Sequence, residues 1–179
     1  MKQVIHKAFW VWEFQEEERW LNEMSAKGLH LTDAGLFRYV FEEGKPGEYQ
    51  YRLELLENFS NHPESRKYLE FMEETGAEVV STFKRWVYFR RKAEDGAFDL
   101  YSDIDSRIAH MKRIVTLLTV LAAVEGTCVA MELAGALLGH VNTVPVAAVL
   151  AIFEAFLLTG LFKMKKVYKK LISERAIRE

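Results

Sequence analysis

Cysteine is almost absent from this chain of 179 residues, in which Cys128 is the only one. A single thiol cannot form a disulfide within the chain, so a disulfide-stapled scaffold is excluded. Three prolines and ten glycines are too few for a collagen-like chain, and the 50% share of hydrophobic residues excludes a disordered one. The net charge of -2 gives no case for nucleic acid as a partner.

Recognisable catalytic and cofactor motifs are also missing. None of the five histidines has a His or Cys partner at the spacing of metal ligands. The glycine-rich patterns that bind dinucleotides or nucleoside triphosphates do not occur, and neither does the GxSxG pattern of serine hydrolases. We therefore predict no catalytic residue, no metal and no cofactor, and we expect that the protein is not an enzyme.

Lysine and arginine are absent from residues 114–162. This interval contains two apolar runs, 114–138 and 144–162, which are joined by the short segment 139–143. The runs are about 25 and about 19 residues long, and a helix needs roughly 20 to cross the hydrocarbon core of a bilayer. Neither run has a polar face as wide as a soluble helix needs. We predict a transmembrane helical hairpin over residues 114–163; the alternative is a buried helix pair in a soluble domain.

Basic residues flank the two apolar runs and are missing between them. Residues 1–107 carry 15 basic and 21 acidic side chains, whereas the rest of the chain carries 9 and 5. Because positive charge stays on the cytoplasmic side, we predict a multi-pass protein of the bacterial cytoplasmic membrane with both termini in the cytoplasm, including a basic tail over residues 164–179. The candidate contacts to lipid head groups are Lys112, Arg113, Lys163, Lys165 and Lys166.

Three glutamates interrupt the apolar runs. Glu125 and Glu132 are seven residues apart and share one helix face, and in a hairpin Glu154 lies at nearly the same depth as Glu125. An ionised carboxylate at the centre of a membrane costs at least about 2.5–3.5 kcal/mol. We therefore identify the three glutamates as a candidate intramembrane site, which either binds a proton or cation or forms a polar contact between helices.

Small residues recur at every fourth position in both runs, as expected where helices approach closely. If these ridges close the hairpin, Glu125 and Glu132 point away from the seam between the helices. Such acids would then need a homo-oligomer or a membrane-protein partner to cover them. The first ridge consists of Ala122, Gly126, Ala130 and Ala134, and the second of Ala147, Ala151, Ala155 and Thr159.

Residues 1–101 show the patterns of a soluble domain. Residues 4–12 are predicted to form a strand, and period-two alternation predicts strands over 37–41 and 49–55. Apolar stripes at helical spacing predict helices over about 15–27 and 63–75, with Gly28 as the C-cap of the first. Asn61 and Glu64 fit a capping box at the start of the second helix, and Ser102 marks a further helix start. The predicted order is β-α-β-β-β-α-β-β, an α+β domain with an antiparallel sheet and helices on one face, loosely ferredoxin-like. Residues 102–113 are predicted to be a juxtamembrane linker helix that continues into the first span.

Four sequence segments, taken together, resemble the pattern of a known family. They are ERWLNEMSAKGLHL at 18–31, YQYR at 49–52, YFRR at 88–91 and LYSD at 100–103. Their order and spacing resemble the bacterial domain of unknown function twenty-eight-twelve over about residues 1–113, although Leu29 stands where the family pattern has tryptophan. The resemblance implies membrane helices after the domain and genes often placed beside PadR-type regulators. It implies no chemistry, because the family has no assigned catalytic residue.

These observations favour a non-enzymatic inner-membrane protein. Its cytoplasmic α+β domain acts as a binding or regulatory module, and its two-helix hairpin anchors and oligomerises it. A second hypothesis is a small oligomeric channel or transport subunit that uses the intramembrane glutamates. A third is a membrane-bound enzyme, against which the missing nucleophile and metal ligands count.

Overall fold

The computed structural model describes residues 2–101 and 103–178. The chain forms two compact units, which divide between Ser106 and Arg107. The first unit contains strands and helices, and the second is helical.

The first unit has the predicted order of elements. Its first strand is shorter than predicted and ends at His6. The chain then forms a 3-10 turn at Val11–Glu13, where the Glu13 carboxylate accepts the Trp10 N–H at 3.0 Å. The elements are β1 (Lys2–His6), α1 (Phe14–Ala26), β2 (Leu29–Gly35), β3 (Arg38–Glu43), β4 (Tyr49–Leu55), α2 (Pro63–Glu74), β5 (Glu78–Phe83) and β6 (Trp86–Lys92).

The strands form two antiparallel sheets of three strands each, with the orders β1-β3-β2 and β4-β6-β5. Strands β2 and β5 lie side by side, but each has a register shift of the kind produced by a β-bulge. Because bulges interrupt regular pairing, a side chain connects the two strands here in place of backbone hydrogen bonds. The Ser81 hydroxyl accepts the Ala34 N–H at 3.1 Å and lies 3.3 Å from the Ala34 carbonyl oxygen.

Two hydrophobic clusters surround the second sheet. In the first cluster, Leu21 and Met24 of α1 pack with side chains of both sheets, among them Tyr88 of β6. In the second cluster, Met72 of α2 packs with Val87 and Phe89 of β6. The α+β class with antiparallel strands is therefore confirmed, with one difference in layering. The helices pack against opposite faces of β6, because this strand has apolar or aromatic side chains on both of its faces.

The C-terminal end of α1 matches the prediction, whereas the N-cap of α2 does not. Gly28 follows α1 with φ of +78°, the left-handed conformation that glycine adopts at little cost. The residue that caps α2 is His62, whose Nδ1 accepts the Glu64 N–H at 3.3 Å. The predicted capping box of Asn61 and Glu64 is therefore wrong by one residue, since Pro63 occupies the first helical position and places its predecessor at the cap.

The second unit is a two-helix hairpin, as predicted. Helix α3 (Ile104–Leu137) runs without interruption from the linker into the first apolar run, and α4 (Val144–Arg178) follows a 3-10 turn at Val141–Thr143. The part of the basic tail up to Arg178 belongs to α4. The helix start predicted at Ser102 lies outside the described residues, but the Asp103 carboxylate accepts the Ser106 N–H at 2.7 Å.

Candidate functional site

Helices α3 and α4 are long and apolar enough to cross a membrane. Only 17% and 22% of their most apolar 18-residue stretches are buried inside the protein. A core helix of a soluble protein would be mostly covered by the rest of its own chain. Large apolar side chains such as Val124, Met131 and Ile152 are instead exposed, and they need an apolar environment around the hairpin.

The three predicted glutamates lie along the seam between α3 and α4. On α3, Leu118 and Ala122 are buried, and the stripe continues through the half-buried Glu125 and Glu132 at alternating spacings of three and four residues. On α4, the half-buried Glu154 stands three residues before the buried Leu157. This spacing keeps side chains on the face of each helix that packs against its neighbour.

The predicted packing of the small-residue ridges is wrong for most of their length. Ala122 and Ala147 are buried, but Ala130, Ala134, Ala151 and Ala155 are exposed. A strict four-residue repeat drifts by about 40° per step around a helix of 3.6 residues per turn, so a ridge leaves the seam after one or two steps. The expectation that Glu125 and Glu132 point away from the seam is wrong as well, since both lie on the seam side of α3.

Two buried carboxyl oxygens in this seam have no hydrogen-bond partner among the described residues. They are Glu125 Oε1 and Glu154 Oε2. The two residues lie at the same level, since Glu154 Oε1 is 3.6 Å from the position that a Cβ atom on Gly126 would occupy. Buried polar atoms in proteins are normally paired. Two carboxyl groups at one level can satisfy each other by sharing a proton, or they can coordinate a cation.

The predicted lipid-contacting residues all lie at the end of the hairpin opposite its connecting turn. Lys112 and Arg113 precede the first apolar run on α3, and Lys163, Lys165 and Lys166 follow the second on α4. Lys112, Lys163 and Lys166 are exposed, whereas Arg113 and Lys165 are half-buried. Because the helices are antiparallel, these five residues form one basic girdle.

A polar connection between α1 and the edge of β4 was not predicted from the sequence. The amide of Asn22 accepts the Tyr51 N–H at 2.9 Å and donates to the Tyr51 carbonyl at 3.1 Å. The Glu18 carboxylate accepts the Leu53 N–H at 2.7 Å, and the Ser25 hydroxyl donates to the Tyr49 carbonyl at 2.7 Å. The signal in the sequence is polar residues at positions 18, 22 and 25, which lie on one side of a helix.

A buried carboxyl group ties α1 to both sheets. Glu17 Oε1 accepts hydrogen bonds from the hydroxyls of Tyr39 in β3 and Tyr88 in β6, at 2.7 and 2.8 Å. Burial raises the pKa of Glu17, although the two hydrogen bonds oppose the shift. Burial also raises the pKa of both tyrosines, and the nearby Glu17 adds to that effect. The phenols therefore remain protonated donors, and the cluster holds the two sheets on one helix.

The motif segment 18–31 contains a tightly packed histidine near its end. His30 is buried, and its Nε2 lies 3.5 Å from Glu48 Oε2. A Cβ atom on Gly44 would lie 2.2 Å from His30 Cδ2, so the backbone at Gly44 rests directly on the imidazole ring. This close approach requires glycine at position 44.

Within residues 2–101 and 103–178, no group of three or more His, Cys, Asp and Glu side chains is arranged to hold a metal ion. The hydrogen-bonded groups of the motif segments lie in the α+β unit, and the three glutamates lie in the helical hairpin. The candidate functional site is therefore the seam between α3 and α4 that contains the three glutamates, together with the basic girdle at its end.

The comparisons with known proteins agree with the motif resemblance. The sequence model of the family described as Protein of unknown function (DUF2812) matches residues 13–123, which cover most of the α+β unit and the first part of α3. Neither the curated proteins nor the solved structures gave a significant match. Because the family model covers more than half of the chain, this protein belongs to the DUF2812 family.

Proposed function

We propose that this protein is a non-enzymatic component of the bacterial cytoplasmic membrane, in which α3 and α4 anchor a cytoplasmic α+β binding or regulatory module. The observation that carries the proposal is the exposed apolar surface of the two helices, on a chain whose first unit is a separate compact body. A bilayer removes that surface from water, which is strongly favourable.

The polar groups of the family motifs support a structural role for these motifs within the α+β domain. Glu18, Asn22 and Ser25 are engaged with the backbone of β4, and Glu17 is engaged with two tyrosines. Groups that hold the fold in this way leave the motif without an activated nucleophile. We therefore assign the motif to the architecture of the module.

The basic girdle supports the orientation of the hairpin. Lysine and arginine beside a span favour the cytoplasmic side and attract anionic lipid head groups, at about 1 kcal/mol per residue near the surface. The connecting segment 139–143 contains neither lysine nor arginine. This asymmetry favours cytoplasmic termini and an external turn.

Cysteine labelling tests the topology. In a Cys128→Ser background, single cysteines are introduced as Asn142→Cys in the connecting turn and Lys45→Cys in the α+β domain. A membrane-impermeant maleimide applied to intact spheroplasts should label Asn142→Cys alone, and both sites should react after lysis. Labelling of Lys45→Cys in intact spheroplasts would overturn the orientation, and recovery of the protein in the soluble fraction would overturn the anchor.

We further propose that the hairpin associates with a second copy or with another membrane protein. The support is that Ala130, Ala134, Ala151 and Ala155 face outward, where small residues let another helix approach closely. Ala134→Phe and Ala155→Phe should reduce the apparent size of the assembly in mild detergent. An unchanged monomeric size for the wild-type protein and both variants would contradict self-association.

A channel or transport subunit is the second candidate function. The observation in its favour is the pair of buried, unpartnered carboxyl oxygens on Glu125 and Glu154. Proteoliposomes should then conduct protons or monovalent cations, and Glu125→Gln should abolish the flux. The matched control is Glu174→Gln, which changes a glutamate that pairs with Lys170 outside the apolar run. Liposomes that stay tight with the wild-type protein would rule this function out.

A further inference from the structure

Three aromatic side chains, from the segment after β1, from α1 and from β3, pack against one another. The ring centroids of Trp20 and Tyr39 are 4.9 Å apart, and those of Phe9 and Trp20 are 5.5 Å apart. The rings of Phe9 and Tyr39 are nearly perpendicular, at 84°, with centroids 6.3 Å apart. Tyr39 is buried, whereas Phe9 and Trp20 are half-buried. We call Phe9, Trp20 and Tyr39 the aromatic box.

The box already contains a cation. The ammonium nitrogen of Lys7 lies 4.9 Å from the Phe9 centroid and 4.7 Å from the Trp20 centroid, within the range of about 6 Å over which rings attract cations. Within residues 2–101 and 103–178, Lys7 makes no ion pair. The rings, and not a carboxylate, therefore hold this charge.

The other cations that lie over rings in this protein are arranged differently. Arg90 lies over the ring of Tyr49 but also forms two hydrogen bonds with the Glu78 carboxylate. Lys84 lies over a single ring, Phe83, at the longer distance of 5.8 Å. Only at the aromatic box do two rings converge on one ammonium group of the described chain. Convergent rings are the arrangement by which proteins recognise substituted ammonium groups.

The spacing also suits a substituted ammonium group. Carbon atoms in van der Waals contact are about 3.5–4.0 Å apart, so a nitrogen held at 4.7 and 4.9 Å from two ring centroids stands off the rings by enough for an intervening methyl or methylene group. Lys7 is an exposed residue, and no ion pair within the described residues holds its ammonium group over the two rings. Lys7 is therefore a displaceable occupant.

We propose that the aromatic box is a binding site for a methylated ammonium group of the choline type, and that Lys7 is an intramolecular plug which competes with this ligand. The proposal names a ligand class for the binding module and rests on the proposed function only in that respect. Its failure would leave the membrane topology untouched, because labelling at Asn142 and Lys45 tests that separately.

Binding of tetramethylammonium to the purified full-length protein in a maltoside detergent tests the proposal. Saturation-transfer NMR follows the methyl protons, with empty micelles as the blank and sodium chloride at equal ionic strength as the control. Lys7→Ala should bind tetramethylammonium at least about fivefold more tightly than the wild type, which corresponds to roughly 1 kcal/mol. Lys45→Ala removes the same charge from an exposed turn and should bind like the wild type.

A second substitution separates binding from folding. Phe9→Leu in the Lys7→Ala background removes one wall of the box and should abolish the gain, while unchanged circular dichroism reports an intact fold. Free choline in solution and phosphatidylcholine added to the micelles then distinguish a soluble ligand from a lipid head group, and competition by either supports the box. Equal binding by the wild type, Lys7→Ala and the double variant would overturn the proposal.

Discussion

The side-chain amide of Asn22 forms hydrogen bonds with both the N–H and the C=O of Tyr51, at 2.9 and 3.1 Å. Helix α1 thus pairs with the outer edge of β4 as a neighbouring strand would. An uncovered edge is a site of unwanted strand pairing, and covering it with a helix is one of the ways by which proteins avoid that risk. The motif segments 18–31 and 49–52 are the two halves of this connection.

The Asn22 contact predicts a loss of stability on substitution. Asn22→Leu leaves two backbone groups of Tyr51 without their partner and should lower the free energy of unfolding by about 1–3 kcal/mol. All four tryptophans lie in the first 101 residues, so tryptophan fluorescence during thermal unfolding reports on this domain in the full-length protein. Asn61→Leu, in an exposed turn, is the matched control and should have little effect.

The contact between Gly44 and His30 predicts a steric effect. Gly44→Ala places a Cβ atom 2.2 Å from Cδ2 of the buried His30 ring, so the ring or the backbone must shift. We expect a destabilisation of about 1–3 kcal/mol. Gly35→Ala is the control, because a Cβ atom there would meet nothing within 4 Å. If His30→Ala in the Gly44→Ala background does not recover part of the loss, the clash is not its cause.

Glu18 predicts a pH dependence of stability. Burial raises its pKa from 4.5 to about 7, opposed by the hydrogen bond from Leu53. Between pH 4.5 and 7 the folded state therefore binds more protons than the unfolded state, so this group's contribution to stability falls as pH rises through that interval. The Tm of the α+β domain should be higher at pH 5 than at pH 8.

Substitution of Glu18 checks that assignment. Glu18→Gln removes the titrating group and should flatten the pH profile of the Tm, leaving the part that arises from the raised pKa of Glu17. Glu23→Gln, on the exposed side of the same helix, should leave the profile unchanged. A wild-type Tm that rises from pH 5 to pH 8 would contradict the sign of the effect.

The seam glutamates predict different outcomes for a structural role and for a site. Replacing a buried, unpartnered carboxyl group with an apolar side chain of similar size is close to neutral or stabilising when the group only packs. Glu154→Leu should therefore preserve or raise the thermal stability of the hairpin, followed by far-UV circular dichroism in detergent. If it also abolishes cation flux in proteoliposomes, Glu154 acts in transport and not only in packing.

Local patterns in the sequence were sufficient to predict the elements of the fold. Period-two alternation over 49–55 matched β4 at both ends, because a strand with one face on a core must alternate its side chains. The long apolar runs predicted α3 and α4 for an equally local reason, since the length of an uninterrupted apolar helix is visible in the residues themselves. The resemblance carried by the motif segments likewise led to the family without structural information.

Only the tertiary structure decided which faces meet. The hairpin could be predicted, but whether Ala130 or Glu132 faces the seam depends on the small difference between a repeat of four residues and 3.6 residues per turn, and that difference accumulates along the helix. The polar residues at 18, 22 and 25 read as the solvated side of an amphipathic helix until β4 supplies backbone partners for them. Lys7, Phe9, Trp20 and Tyr39 are dispersed over 33 positions of the sequence, and only the pairing of β1 with β3 and the packing of α1 bring them together.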